Sequence, residues 1–165
     1  MTSQSLVLIT DTNIWIDLDH GGLLELIFHL PYQICAADFA RVEIRSVDVA
    51  VLERQGLIFQ ELDKELVAEL FQLRQRKTTI AIADLAAFLL ARVQGAVLVT
   101  GDRNLVRLAV DEGIKVHGLL WLMDEMVQLE ILLPHHAANA LAEILNHGAR
   151  LPAAECSQRI RNWSK

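Results

Sequence analysis

The chain has 165 residues, a length that fits one domain, and 53% of them are hydrophobic, which excludes a disordered chain and leaves ample material for a core. A formal net charge of −6 excludes nucleic acid held by protein charge alone, unless bound metal neutralises part of the acidic set. The two cysteines, Cys35 and Cys156, lack metal-ligand spacing and sit in apolar contexts, which fits a reduced, cytoplasmic protein. The N-terminal MTSQSLVLIT has no basic region followed by an apolar core of leader length. The longest apolar stretch is broken by Asp84 and Arg92, so no membrane span is expected.

In chain order, Leu6–Thr10 reads as a short buried strand. Residues 13–30 read as helix with a break near Gly21-Gly22, stopped by Pro31. QICAA (33–37) is a second strand, and DFARVEIR (38–45) is expected to start a helix capped by Asp38. LIFQEL (57–62) is a third strand. Asp63 opens an amphipathic helix to Arg76 with Leu66, Leu70 and Leu73 on one face. A further helix is expected over 79–94, then the strand AVLVT (96–100), a helix over 102–113 ended by Gly113, and a last strand IKVHG (114–118). Three more helices follow: 119–128, one opened by Pro134, and one opened by Pro152. Strands alternating with helices predict an α/β fold with a mainly parallel sheet. The near-continuous apolar strands fit a sheet covered on both faces.

In such sheets ligands gather beyond the carboxyl ends of the strands. Asp11 directly follows the first strand and Asp102 follows the fourth across Gly101, so adjacent strands would put two carboxylates at one rim. Helix capping alone is the competing reading for each. Asp84 is the only charge between Thr79 and Ala91, on a helix apolar nearly all round. A carboxylate there is costly unless it is paired or coordinated; a salt bridge to an arginine is the alternative to facing the same rim.

On ITDTNIWID, ADLAAFLLA and LVTGDRNL, in that order and spacing, the chain resembles the PIN-domain family. That family includes metal-dependent ribonucleases and the toxins of VapBC-type toxin–antitoxin pairs. The segment AVDEGIKVHGLLWLMDEMV also resembles one bacterial and archaeal branch. The resemblance covers about Leu6 to Val127 and implies a three-layer α/β/α fold with strand order 3-2-1-4-5. A PIN-like domain is expected over 1–130, with 131–165 as a C-terminal helical extension packed on it. The resemblance also implies a further acidic residue after the second strand; Glu43 is the best match, with Asp38 and Asp48 as competitors. The implied catalytic and metal-holding set is Asp11, Glu43, Asp84 and Asp102. Thr12 and Thr100 could orient these carboxylates, and Asn13 and Asn104 could hold water, with hydrogen bonding at the helix starts as the alternative for all four.

This set suits phosphodiester hydrolysis, in which two divalent ions about 3.5–4 Å apart activate water and relieve charge on phosphorus and leaving oxygen. Mg²⁺ or Mn²⁺ fit oxygen ligands. The resulting expectation is an endoribonuclease acting on single-stranded RNA, the toxin of a type II toxin–antitoxin pair, with an antitoxin partner and a homodimeric state. The alternative is a non-catalytic PIN-like module that binds RNA or protein.

Other readings are weaker. Haloacid-dehalogenase-type phosphatases need an acid two residues after the first aspartate, where this chain has Asn13, and the Lys and acidic pair of receiver domains cannot be placed. His135, His136 and His147 are poorly spaced for a soft-metal site. Gly21-Gly22 is a turn with no phosphate-loop signature. Arg74, Arg76 and Lys77 read as a solvated helix end. The tail residues Arg159, Arg161, Trp163 and Lys165 fit either RNA or a packing partner.

Overall fold

A computed structural model of the chain describes residues 5–165; residues 1–4, part of the N-terminal stretch read above, lie outside the described residues. Five short strands, β1 (Val7–Thr10), β2 (Gln33–Ala37), β3 (Ile58–Gln60), β4 (Val97–Val99) and β5 (Val116–His117), form one sheet in the order β3-β2-β1-β4-β5. Every pairing is parallel, with Thr10 beside Ala36 on one side and Val99 on the other. Eight helices cover it: α1 (Thr12–His20), α2 (Val49–Gln55), α3 (Lys64–Arg76), α4 (Ile82–Gln94), α5 (Arg103–Asp111), α6 (Leu119–Gln128), α7 (Pro134–Asn146) and α8 (Ala153–Trp163). This is the three-layer α/β/α arrangement expected from the sequence.

The strands alternate between two cores, as side chains two residues apart share a sheet face. Leu8, Ile34, Ala36, Val97 and Val99 join a core with residues of α1, α2, α6, α7 and α8. Ile9, Cys35, Ala37 and Leu98 join the other, with residues of α3, α4 and α5. The whole run Ala83–Ala91 is buried, which is why α4 is apolar all round: it packs on β1, β2 and β4 and against α3 and α5.

Several elements differ from expectation. The helix expected over 38–45 is a single 3-10 turn, Asp38–Val42, and its cap is Ala37; the Asp38 carboxylate turns instead to Arg41 Nε at 2.6 Å. A short helix not foreseen, α2, starts where Asp48 accepts from the Ala50 N–H at 3.0 Å and ends at Gly56, whose φ of 131° suits glycine. α1 stops at His20, and only a 3-10 turn, Leu26–His29, follows. α4 begins at Ile82 rather than 79, and β5 is two residues long rather than five.

Residues 131–165 are not a loose appendage. Leu132, Ala137, Leu141, Ile144, Cys156 and Trp163 belong to the same core as Leu8 and Trp15. α7 approaches α1 so closely that a Cβ on Gly21 would lie 2.7 Å from Ile144 Cδ1. Among the described residues no helix is long and apolar enough to cross a membrane.

Leu141 and Ile144 are fully buried. Leu141→Ala or Ile144→Ala should therefore lower the unfolding free energy by about 2–5 kcal/mol. Urea unfolding should show one transition shifted as a whole. A local fraying of the C-terminus with the main transition unmoved would contradict a shared core.

Candidate active site

Two strand ends and one helix bring the acidic residues together. β1 and β4 are neighbours, and the Asp11 N–H continues their ladder by donating to Val99 O at 3.0 Å. Asp11 caps α1, its Oδ1 accepting from the Ile14 N–H at 3.0 Å, while its Oδ2 accepts from Thr100 Oγ1 at 2.5 Å. Asp102 caps α5, its Oδ1 accepting from the N–H groups of Asn104 at 2.8 Å and Leu105 at 3.1 Å. Thr100 ties the two ends, since its Oγ1 also accepts from the Asp102 N–H at 3.1 Å. Capping therefore occupies one oxygen of each aspartate and does not compete with a role for the other.

Asp84, in the first turn of α4, is only 6% exposed. Its Oδ1 is buried with no hydrogen-bond partner, and it forms no ion pair among the described residues, so the salt-bridge alternative fails. The Thr12 backbone N–H offsets part of its cost. Glu43, just past the 3-10 turn, accepts from Thr12 Oγ1 at 3.3 Å through Oε2 and acts electrostatically on Asp84. The competitors for its place are engaged elsewhere, Asp38 with Arg41 and Asp48 as the cap of α2. The Thr12 and Thr100 hydroxyls each donate to a carboxylate, of Glu43 and Asp11 respectively. The Asn104 side-chain amide points to Thr79 Oγ1 at 3.5 Å. Asn13 is exposed and makes no side-chain hydrogen bond among the described residues.

Burial, then the nearby Asp84 charge, pushes the Asp11 carboxyl up to about 7; hydrogen bonds from Thr100 and Ile14 oppose this and Asp102 adds to it. Burial pushes Asp84 up to about 6, against the Thr12 N–H and with the help of Glu43 and Asp102. The ion pairs among the described residues lie elsewhere, Arg41 with Asp38 and Glu53, Arg92 with Glu69, and Arg159 with Asp124. A buried carboxylate oxygen without a partner, in an all-oxygen donor set that carries excess negative charge, suits a hard divalent cation. Among the described residues no three acidic, histidine or cysteine side chains form a ready ion cage. An ion here would keep part of its hydration or use substrate oxygens, as Mg²⁺ commonly does.

A groove of about 1230 Å³ opens from the Thr100–Arg103 edge of this cluster. Its walls come from α1, from the starts of α5 and α6, and from the α7–α8 connection, including Arg103, His117, Trp121 and Arg150. None of these was singled out from sequence, where no local signal marks a wall assembled from four distant segments. The tail packs inward. Trp163 is buried, and Arg159 donates from Nε and Nη2 to the Asp124 carboxylate at 2.9 and 2.7 Å. His147 stacks on His20 and is not gathered with His135 and His136 into a metal-holding group.

Comparison with known proteins agrees with the fold. The DUF3368 family model, described as a PIN domain, matches residues 7–165. Among solved structures, a PilT N-terminus domain protein from the archaeon Sulfolobus solfataricus P2 is similar, with a TM-score of 0.51 and 12% identity over 71% of this chain and 90% of that one. No curated protein matches the chain.

The Asp11 shift fixes a pH dependence. Its carboxyl gains protons on folding between pH 3.8, its ordinary value, and about 7. The folded state of the metal-free protein is thus favoured at the acid end of that window and loses this contribution as pH rises through about 7. With chelator present, the melting temperature should fall across this window, and Asp11→Asn should flatten the fall. A variant as steeply pH-dependent as the parent would show that Asp11 is not the titrating group.

Proposed function

The chain belongs to the PIN-domain family, and from that premise we propose that it is a Mg²⁺- or Mn²⁺-dependent endoribonuclease acting on single-stranded RNA. The observation that carries this reading is Asp84: a carboxylate buried on an apolar helix, with one oxygen unpartnered, beside Asp11 and within the field of Glu43 and Asp102. A structural aspartate in such a place would be paired. A carboxylate that awaits a cation need not be.

Asp11, Asp84, Asp102 and Glu43 would hold the metal. When bound, divalent ions at such a site supply charge relief at phosphorus and lower the pKa of water so that it can attack. The protein's own part is positional. Thr100 donates to Asp11 and accepts from the Asp102 backbone, so one hydroxyl fixes both strand ends. Thr12 holds Glu43 with its hydroxyl on the opposite side, and its backbone N–H eases the cost of charge on Asp84. The helix starts of α1 and α5 keep the capping oxygens turned inward, which leaves Asp102 Oδ2 free of any hydrogen bond within the described residues. Attack on the phosphodiester by water, which gives up a proton to solvent, forms one P–O bond and breaks another, and the displaced alkoxide oxygen takes a proton to become a hydroxyl.

In cellular terms we read the chain as the toxin of a type II toxin–antitoxin pair, active as a cytoplasmic homodimer and silenced by an antitoxin protein. A short neighbouring gene for a DNA-binding protein that copurifies with the chain and blocks cleavage would support that role.

Cleavage of single-stranded RNA should require Mg²⁺ or Mn²⁺, stop with a chelator, and not be sustained by Zn²⁺ alone. Asp11→Asn or Asp84→Asn should abolish it without lowering the melting temperature, since each removes a crowded charge. Thr100→Val, which leaves the carboxylates in place but unsteered, should cost about 10–100-fold in activity or metal affinity. Mn²⁺ should also raise the melting temperature of the parent and not of Asp84→Asn. RNA binding with no metal-dependent cleavage, and no metal-induced stabilisation, would leave a non-catalytic binding module.

A further inference from the structure

The groove beside the carboxylates has no part in the chemistry described so far. At about 1230 Å³ it exceeds the roughly 300–1,000 Å³ of most single small-molecule pockets, so a polymer segment suits it better than a metabolite. It is continuous with the site, because Asn13, Thr100 and Asp102 form its inner edge. Its lining includes the apolar Ile14, Val116 and Leu120, and His117 and Trp121 line it as parallel rings 4.1 Å apart. Tyr32 backs Trp121 from the far side, its centroid 5.9 Å away, and donates its hydroxyl to Glu125, so the ring stack is held from behind. Burial and Lys115 lower the pKa of His117, against Glu125, which keeps its ring neutral and suited to stacking.

Three guanidinium groups line the groove. Arg159 is committed to Asp124. Arg103, next to Asp102, and Arg150, on the α7–α8 connection, are exposed and make no ion pair or side-chain hydrogen bond among the described residues. Asp17 and Glu155 also line it, so charge there is mixed and does not form a general polyanion trap. Two unsatisfied guanidiniums on different walls, apolar lining residues and a fixed ring stack fit a strand whose phosphates and bases alternate.

We propose that this groove carries the single-stranded RNA leaving the cut, with Arg103 and Arg150 as phosphate contacts and His117 as the ring a base rests on. The C-terminal helices are thereby part of the substrate path through Arg150. The inference rests on the ribonuclease reading for its ligand, and its test reads binding rather than turnover.

The probe is a fluorescent single-stranded RNA, titrated with the full chain in chelator by anisotropy at several salt concentrations. Arg150→Gln should weaken binding roughly five-fold at moderate salt and lower the slope of log affinity against log salt by about 0.7, one phosphate contact. Arg103→Gln should do the same, Arg150→Lys should restore the slope, and His117→Ala should weaken binding without changing the slope. Arg107→Gln, on α5 away from the groove, should change neither. Arg150 has no ion pair or side-chain hydrogen bond to lose among the described residues, and equal melting temperatures would confirm that folding is intact. Unchanged affinity and slope in both Arg103→Gln and Arg150→Gln, with metal-dependent cleavage present in the parent, would overturn the groove and leave the ribonuclease standing. The predicted losses in a chain that never cleaves RNA would support the groove and overturn the ribonuclease.

Discussion

The burial of carboxylates that have no ion-pair partner among the described residues is the constraint around which this molecule is arranged. Asp11 is 2% exposed and Asp84 6%, and the two repel. Nothing local compensates fully: Asp11 has a hydroxyl and an amide, while Asp84 has one amide and an oxygen with no partner. Such a cluster persists only if the surrounding packing is strong enough to over-determine it. The packing supplied is α4, buried along Ala83–Ala91 and laid across three strands. For stability alone an apolar residue would serve better than Asp84, a cost that the proposed metal-holding role would account for.

The opposite face of the sheet carries a different obligation. The helices α1, α6, α7 and α8 share one core with the strands, and the same helices or their connections wall the groove. Support of the sheet and the walls of the groove are thus built from the same elements. The Gly21–Ile144 approach shows how closely α7 is fitted to α1, the helix whose N-terminal cap is Asp11. α1 thus has α7 against its C-terminal end and a site carboxylate at its N-terminal end.

How legible each part was in the sequence follows from how local its cause is. Asp11 and Asp102 were readable because an apolar strand ending in Thr-Asp or Thr-Gly-Asp states its position in a few residues. Asp84 was readable because one charge interrupts an otherwise apolar helix. Glu43 was reached only through family resemblance, and its segment shows why: the 3-10 turn before it has no periodicity to place a side chain. The seven-residue α2 escaped notice because its buried contact is the single Leu52, although Asp48 and Gly56 bracket it as cap and stop. Asn104 stayed open between two readings because a side chain at a helix start can turn either way, and here its amide lies toward Thr79. Trp163 and Arg159 were ambiguous because their partners, the shared core and Asp124, are brought close only by the fold.

The pairing of β1 with β4 joins residues about ninety positions apart, with most of the sheet's other half lying between them in the chain. Contacts that span so much sequence form late, after loop closure has been offset by collapse of the more local units. During synthesis β1 and β2 can associate early, yet the Asp11–Thr100 link has to wait for β4 to emerge. The α7 and α8 helices that finish the face beneath β1 come later still. A growing or prematurely ended chain therefore has its first aspartate but no assembled cluster, and the full set of carboxylates comes together only in finished molecules.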